Sequence, residues 1–111
     1  MLNNITISLI MPCYNEENGI KTIFESMPFF IDEAIVVDNG SKDNSIQVAK
    51  SYNAIVFAEK AKGYGNAILK GLSCAKGEII IIADSDGSYP MGSLKDVCLY
   101  MLDRIRFCKW M

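Results

Sequence analysis

The sequence predicts an α/β fold: a doubly wound, mostly parallel sheet with the strand order 3-2-1-4. Short apolar segments alternate along the chain with segments whose apolar residues recur at helical spacing, in the order βαβαβαβα. The strand segments contain few polar residues, as is typical of parallel strands that helices cover on both faces. Right-handed crossover connections leave few other topologies. With 111 residues, the chain accommodates one domain.

The first half of the chain predicts two strand–helix pairs. Residues 5–11 are apolar and rich in β-branched side chains, which predicts the first strand. Apolar residues then recur at helical spacing between positions 20 and 27, and we expect Pro28 to close this first helix. Residues 34–37 predict the second strand. A second helix follows over residues 46–52, with Ser41 or Asp43 as its expected N-terminal cap.

The second half repeats the pattern. Residues 54–58 predict a short third strand, and the apolar positions between 67 and 75 predict the third helix. Gly77 stands where a helix C-cap is expected. Residues 79–83 predict the fourth strand, and the apolar spacing over residues 94–105 predicts a fourth helix.

Charge and composition exclude several classes of function. The formal net charge is -2, and lysine and arginine form no basic cluster, so we expect no nucleic-acid partner. The chain contains no histidine. This excludes Ser-His-Asp and Cys-His nucleophile systems and any histidine-based metal site within the chain.

Cysteine usage and hydropathy predict a cytoplasmic protein. The four cysteines have irregular spacings without a CxxC motif, and we interpret them as reduced, mostly buried apolar residues rather than a disulfide or zinc site. The N-terminus lacks the pattern of a signal peptide. Apolar runs such as Ile79–Ala83 are far too short to cross a bilayer. The cysteines are Cys13, Cys74, Cys98 and Cys108.

Polar residues follow three of the predicted strands at the point where each strand ends. The first strand runs into residues 12–16, the second into Asp38 and Asn39, and the fourth into residues 84–86. In open α/β sheets, ligands bind outside the carboxyl ends of the strands, where the strand order reverses. The sequence therefore predicts a ligand site at this edge of the sheet.

Asp84 and Asp86 are candidate metal ligands. They are separated by one residue, so on extended backbone their carboxylates point to the same side. Two close carboxylates repel each other and favour a cation between or beside them. Oxygen ligands suit Mg2+ or Mn2+, whose shell is commonly completed by substrate phosphates. The alternative is a turn in which one of the aspartates caps the next helix.

The other motifs have both a binding and a structural interpretation. Tyr14 could stack on a base, whereas Glu16 could simply favour the first turn of a helix. The segment 38–41, Asp-Asn-Gly-Ser, offers acceptors for a base N–H or a ribose hydroxyl, but it also satisfies an Asx turn. Gly63 and Gly65 could let a phosphate approach the third helix, or could form an ordinary glycine turn.

Taken together, these motifs resemble the family 2 glycosyltransferases of the GT-A fold, and most closely the polyprenyl-phosphate sugar transferases of the dolichol-phosphate mannose synthase type. The resemblance extends from about Ile5 to Pro90. The motifs that carry it are Tyr14-Asn15-Glu16, Asp38-Asn39-Gly40-Ser41, Gly63-Tyr64-Gly65-Asn66-Ala67, Ala75-x-Gly77 and Asp84-Ser85-Asp86.

The resemblance implies a glycosyltransferase that binds a nucleotide-diphosphate sugar with Mg2+ or Mn2+ and transfers the sugar to an acceptor, either a lipid phosphate such as a polyprenyl phosphate or a glycan. In full-length relatives it implies a place at the cytoplasmic face of a membrane. It assigns the metal to Asp84 and Asp86. It assigns the donor to Pro12, Tyr14, Asn15, Glu16, Asp38, Asn39, Gly63, Gly65 and Asp84.

Two departures from the family pattern matter. The second residue of the family's Asp-Asp-Gly-Ser is Asn39 here, which puts the base preference in question. The family's catalytic domain also continues well past the Asp-x-Asp motif. We therefore expect residues 1–111 to be a partial GT-A domain, the donor-binding half, with the general base outside it. An unpaired sheet edge is then expected, through which the chain self-associates or binds a partner.

Two other functions stay open at this point. The chain could be a non-catalytic nucleotide- or partner-binding module that keeps the fold without the activity. It could also be a dinucleotide-dependent oxidoreductase, but no GxGxxG follows the first strand. Metal-dependent turnover of the donor would exclude the first alternative, and NAD binding without metal would favour the second.

Overall fold

A computed structural model describes residues 4–85 as a four-stranded sheet with three helices. The strands pair in the order β3-β2-β1-β4, and every pairing is parallel. The predicted α/β fold and strand order are therefore confirmed, whereas the fourth helix predicted over residues 94–105 lies outside the described residues. The elements are β1 (Ile7–Cys13), α1 (Glu17–Glu25), β2 (Glu33–Asp38), α2 (Ser45–Ser51), β3 (Ile55–Ala58), α3 (Tyr64–Cys74) and β4 (Ile79–Ile82).

Strand β1 forms the centre of the core because all of its residues are buried. Side chains alternate between the two faces of a strand. Leu9 and Met11 pack with the buried residues of α1 and α2, whereas Ile10 packs in a separate cluster with Ala67 of α3. A Cβ on Gly71 would lie 2.5 Å from Cγ2 of Ile10, so the missing side chain lets α3 approach β1 closely. Helices therefore cover both faces of β1, as its apolar sequence predicts.

Strand β4 is less well covered. Within the described residues it pairs with β1 alone, and the side chains of Ile80 and Ile82 are 37% and 42% exposed. An edge strand with unpaired backbone groups can add a further strand. Association through this edge stays a prediction. No helix within residues 4–85 combines the length and the apolar character that a bilayer crossing requires.

The helix ends differ in part from the sequence-based expectations. Helix α1 ends at Glu25 and is capped by Ser26, so Pro28 follows two residues after the cap. The N-cap residue of α2 is Asn44, which makes no capping side-chain bond, so the predicted cap position is wrong. Asp43 nevertheless accepts a hydrogen bond from the N–H of Ser45, the first residue of α2, at 2.9 Å. Ser41 and Asp43 also accept hydrogen bonds from the β1–α1 segment, which is distant in sequence.

Gly77 has a different role from the predicted one. The C-cap residue of α3 is Ala75, and Gly77 lies in the loop before β4. Its N–H donates to the Ser8 hydroxyl at 2.8 Å, and a Cβ at this position would lie 2.6 Å from the backbone nitrogen of Ser8. Gly77 is therefore present because the loop passes directly over β1, not because a helix ends there.

Glu33 ties the start of β2 to the same loop. Its Oε2 accepts hydrogen bonds from the Ser8 hydroxyl and the Lys76 N–H, both at 2.5 Å. Burial raises the pKa of this carboxyl, but the hydrogen bonds from Lys76, Ser8 and Gly77 outweigh it and hold the pKa below its ordinary value of 4.5. The ionised form therefore stabilises the folded chain at neutral pH.

A group whose pKa is lowered by folding contributes stability above its ordinary pKa, and this contribution is lost as pH falls through the lower folded value. We therefore expect Glu33→Gln to lower the free energy of unfolding at pH 7 and to flatten its decline below pH 4.5. Urea unfolding of wild type and variant at pH 7, 5, 4 and 3 checks this. Parallel stability curves would contradict the role assigned to the carboxylate.

Candidate functional site

An open cleft of about 560 Å³ lies at the carboxyl ends of β1, β2 and β4 and beside the start of α3. Strand β1 pairs with β2 on one side and with β4 on the other, so this is the point where the strand order reverses. The cleft therefore lies at the edge where the sequence predicts a ligand site. It is lined by Pro12, Cys13, Tyr14, Glu16, Asn39, Lys62, Gly63, Tyr64, Asp84 and Ser85.

Most of the predicted donor-binding residues meet in this cleft. Asn15, Asp38 and Gly65 do not line it, and Asp86 lies outside the described residues. Gly65 is in the first turn of α3 rather than in the turn before it. The predicted residues that line the cleft are Pro12, Tyr14, Glu16, Asn39, Gly63 and Asp84.

The turn between β1 and α1 is fastened to the segment that precedes α2. Asn15 adopts a positive φ of 53°, and its Oδ1 accepts a hydrogen bond from the Lys42 N–H at 2.7 Å. The backbone N–H groups of Asn15 and Glu16 donate to the hydroxyls of Ser41 and Ser45, at 2.8 and 2.9 Å. Asn15 therefore holds the turn that presents the neighbouring Tyr14 and Glu16 side chains to the cleft.

Asp38 ends β2 in an Asx turn, so the structural interpretation of the Asp-Asn-Gly-Ser motif applies to it. Its Oδ2 accepts hydrogen bonds from the N–H groups of Gly40 and Ser41, each at 2.9 Å. The side chain is only 3% exposed. Its other oxygen, Oδ1, is buried and has no hydrogen-bond partner within residues 4–85. A buried acceptor without a donor is unfavourable. Because Asp38 does not line the cleft, this oxygen is not assigned to a ligand.

Asp84 stands at the end of β4, where two contacts define its surroundings. The buried hydroxyl of Ser85 donates to the carbonyl oxygen of Pro12 at 2.7 Å, which fastens the end of β4 to the end of β1. The Tyr64 hydroxyl, from the first turn of α3, stands near the Asp84 carboxylate. Desolvation, followed by the nearby Asp84 carboxylate, raises the pKa of Tyr64.

Four residues of the cleft were not predicted as site residues. Lys62 and Tyr64 flank the predicted Gly63. Whether their side chains face the cleft depends on the direction of the α3 axis, which the sequence does not give. Cys13 was expected to be a buried free thiol, and burial raises its pKa. It lies beneath the cleft with its Sγ 3.8 Å from the Ser41 hydroxyl. The fourth is Ser85.

The described part of the cleft suits a hard divalent cation with few protein ligands. Within residues 4–85 no group of three histidine, cysteine, aspartate or glutamate side chains could hold a metal ion. Asp84 and Glu16 are the acidic side chains that line the described part of the cleft. Mg2+ is usually bound by one or two carboxylates together with substrate phosphates and water, so a short list of ligands fits this ion.

Comparison with known proteins identifies a family. Residues 8–105 match the family model described as Glycosyl transferase family 2. An uncharacterized glycosyltransferase of Mycobacterium tuberculosis is 35% identical over 88 residues, which are 79% of this chain and 40% of that protein. The human dolichyl-phosphate beta-glucosyltransferase is 33% identical over 101 residues, covering 74% of this chain and 31% of that protein. The chain thus spans well under half the length of these relatives.

A solved structure shares both fold and sequence with this chain. It is the glucosyl-3-phosphoglycerate synthase of Mycobacterium tuberculosis in complex with Mn2+, UDP-glucose and phosphoglyceric acid. The TM-score is 0.67 and the identity 30%, over 74% of this chain and 34% of that one. The structural similarity therefore concerns about a third of the larger enzyme.

Proposed function

The chain belongs to glycosyl transferase family 2, and from this premise we propose that its cleft binds a nucleotide-diphosphate sugar with Mg2+ or Mn2+ and presents the sugar for transfer to an acceptor. The observation that carries the proposal is the meeting of Tyr14, Asn39 and Asp84, from three strand ends, in one cleft. The related synthase solved with Mn2+ and UDP-glucose supports it.

The nucleotide belongs at the ends of β1 and β2. The half-exposed ring of Tyr14 offers a surface on which a base can stack. Asn39 lines the cleft at the end of β2, whereas the Asp38 carboxylate turns inward and does not. The related synthase solved with UDP-glucose supports a uracil nucleotide. We therefore propose a UDP sugar as the donor, with dTDP and GDP sugars as the alternatives to be compared.

The diphosphate belongs between the start of α3 and the end of β4. Lys62 and Gly63 line this part of the cleft, and a lysine side chain and the N–H groups of a helix N-terminus both attract phosphate. Asp84 and Asp86 would hold the cation. The bound cation would supply charge neutralisation for the leaving nucleoside diphosphate. The chain itself binds and orients the donor.

The acceptor we propose is a polyprenyl phosphate. The relative named dolichyl-phosphate beta-glucosyltransferase motivates this choice over a glycan. A phosphate monoester is ionised at neutral pH, so its oxygen can attack the sugar without a general base. A lipid acceptor would place the reaction at the cytoplasmic face of a membrane.

A thermal-shift panel of UDP, GDP and dTDP sugars, with and without Mn2+, tests donor binding in wild type and Asp86→Ala. A ligand at a hundredfold excess over its dissociation constant adds about 2.7 kcal/mol to stability. We expect one nucleotide to raise the melting temperature in a way that needs both Mn2+ and Asp86. A cooperative melt that no donor shifts would contradict the proposal.

Turnover separates the enzyme from a binding module. We expect release of nucleoside diphosphate from the selected donor only when polyprenyl phosphate is added. Donor binding without release, with either a polyprenyl phosphate or a glycan acceptor, would favour the non-catalytic alternative. Release with the glycan alone would replace the lipid phosphate as the acceptor.

A further inference from the structure

We propose that Asn39 is a positioning residue whose amide group holds the β3–α3 loop, residues 59–63, against the end of β2 and so sets where Lys62 and Gly63 meet the diphosphate of the donor. The inference rests on the proposed function for the identity of the ligand. The contact itself is independent of any ligand.

The hydrogen bonds of Asn39 assign the direction of its amide. The Nδ2 atom lies 3.1 Å from the carbonyl oxygen of Glu59 and 3.2 Å from that of Ala61. Carbonyl oxygens only accept, and an amide nitrogen has two N–H groups to donate. Both donors are therefore used to bind the loop. A carboxylate in the same place would have no N–H to offer and would face two carbonyl oxygens.

The loop has four other hydrogen bonds among the described residues. The Glu59 N–H donates to the carbonyl oxygen of Asp38 at 2.9 Å, and the Ala61 N–H donates to the Glu59 side chain at 3.1 Å. At its other end, Nδ2 of Asn66 donates to the Lys62 carbonyl oxygen at 2.9 Å and the Ala67 N–H donates to that of Gly63 at 3.2 Å. Residues 60–63 are exposed. Exposed segments with few buried contacts open more readily than the core, so the two bonds from Asn39 are a large part of what fixes this loop.

The held segment leads directly into the cleft. Lys62 and Gly63 line it and are followed at once by Tyr64, which lines it as well. Gly63 has a φ of 117°, a conformation that side chains rarely adopt, so the path from the loop into α3 is tightly specified. A shift at Ala61 would therefore be passed to the residues proposed to meet the diphosphate.

Substitutions at Asn39 separate this positioning role from the family pattern. Asn39→Asp restores the Asp-Asp-Gly-Ser motif of the resembling enzymes, yet it removes both donors. Asn39→Leu is similar in size and removes the donors without adding charge, so it separates loss of the contact from repulsion of the phosphates. Asn53→Asp adds the same charge at an exposed position outside the cleft and serves as the control.

Hydrogen exchange of the free proteins tests the contact without ligand. We expect the hydrogen-bonded amides of the loop, those of Glu59 and Ala61, to exchange faster in Asn39→Asp and in Asn39→Leu, with exchange in β1 unchanged, and the control to match wild type. Unchanged β1 exchange also shows that the variants fold. Loop exchange equal to wild type in both variants would overturn the proposal.

Calorimetric binding of UDP with Mn2+ tests the consequence, with GDP or dTDP as the probe if wild type binds one of these more tightly. We expect both variants to bind about tenfold more weakly, the size expected when hydrogen bonds of ordinary strength are lost. The affinity for the matching nucleoside, which has no phosphates, should not change. Equal losses for nucleoside and nucleotide would make Asn39 a base contact and overturn the positioning role.

Failure of the proposed function and failure of the role of Asn39 give different results. Wild type that binds none of the three nucleotides contradicts the proposed function, whatever the exchange of the loop. Wild type that binds one of them, together with variants that bind it equally well, overturns the role of Asn39 alone.

Discussion

Gly77→Ala is expected to lower the free energy of unfolding by about 3 kcal/mol, the upper end of what inserting a methyl group into a packed site costs. The added Cβ would lie 2.6 Å from the backbone nitrogen of Ser8, and closer still to the Ser8 hydroxyl oxygen. Ser8 is fully buried on the central strand, so neither atom can move aside without displacing β1.

The substitution also disturbs a hydrogen-bonded group. The Ser8 hydroxyl accepts from the Gly77 N–H and donates to Glu33, whose carboxylate also accepts from the Lys76 N–H. Pushing the loop away from β1 stretches these bonds in a buried setting, where an unpaired polar group costs about 1–3 kcal/mol. The expected loss is therefore large for one methyl group.

Gly65→Ala is the matched control. A Cβ at Gly65 would have no atom within 4 Å, and the residue lies in the first turn of α3 with an ordinary φ. Alanine is favoured over glycine in a helix by up to about 1 kcal/mol, so this variant should be neutral or more stable. Urea unfolding of both variants gives the comparison. Equal stabilities would show that the loop over β1 adapts to the methyl group.

Gly77 also illustrates where the sequence stops being informative. Its place after a helical pattern suggests a cap, because that is the commonest local reason for a glycine there. The actual reason is a contact with Ser8, which is 69 residues away in the chain. The strands and their order were predictable because apolar runs and right-handed crossovers act locally and generally. Contacts between particular loops follow no such rule.

The cleft was likewise predictable from the sequence only in part. The topology predicts that polar residues gather at one edge of the sheet. Pro12, Asn39 and Asp84 do line one cleft there. The sequence could not tell that Asp38 turns inward into an Asx turn while Asn39 lines the cleft. Neighbouring residues at a strand end point in opposite directions, and the exact end of the strand decides which one meets the ligand.

The second large effect concerns Asp84. We expect Asp84→Asn to weaken the binding of the donor nucleoside diphosphate in Mn2+ by about tenfold, because an exposed carboxylate contributes less to holding a cation than a buried charge pair does. The amide keeps the size of the side chain and an oxygen acceptor. The substitution removes the negative charge that would attract the cation.

The stability of the fold should change little, because Asp84 is exposed and the contact that fastens the end of β4 belongs to Ser85. Glu78→Gln makes the same chemical change just before β4, at the opposite end of the strand, on an exposed side chain outside the cleft. It should leave binding unchanged. Comparing the two variants therefore separates the effect of losing the charge at Asp84 from the effect of changing the net charge of the protein.

Nucleotide affinities measured with and without Mn2+ distinguish two roles of the Asp84 carboxylate. If Asp84 acts through the cation, the ratio of nucleotide affinities with and without Mn2+ should fall toward one in Asp84→Asn, while affinity without metal stays near that of wild type. If the carboxylate instead binds the ribose directly, affinity falls equally with and without Mn2+. That second outcome would leave Asp86 as the metal ligand of the motif and assign Asp84 to recognition of the ribose of the nucleotide.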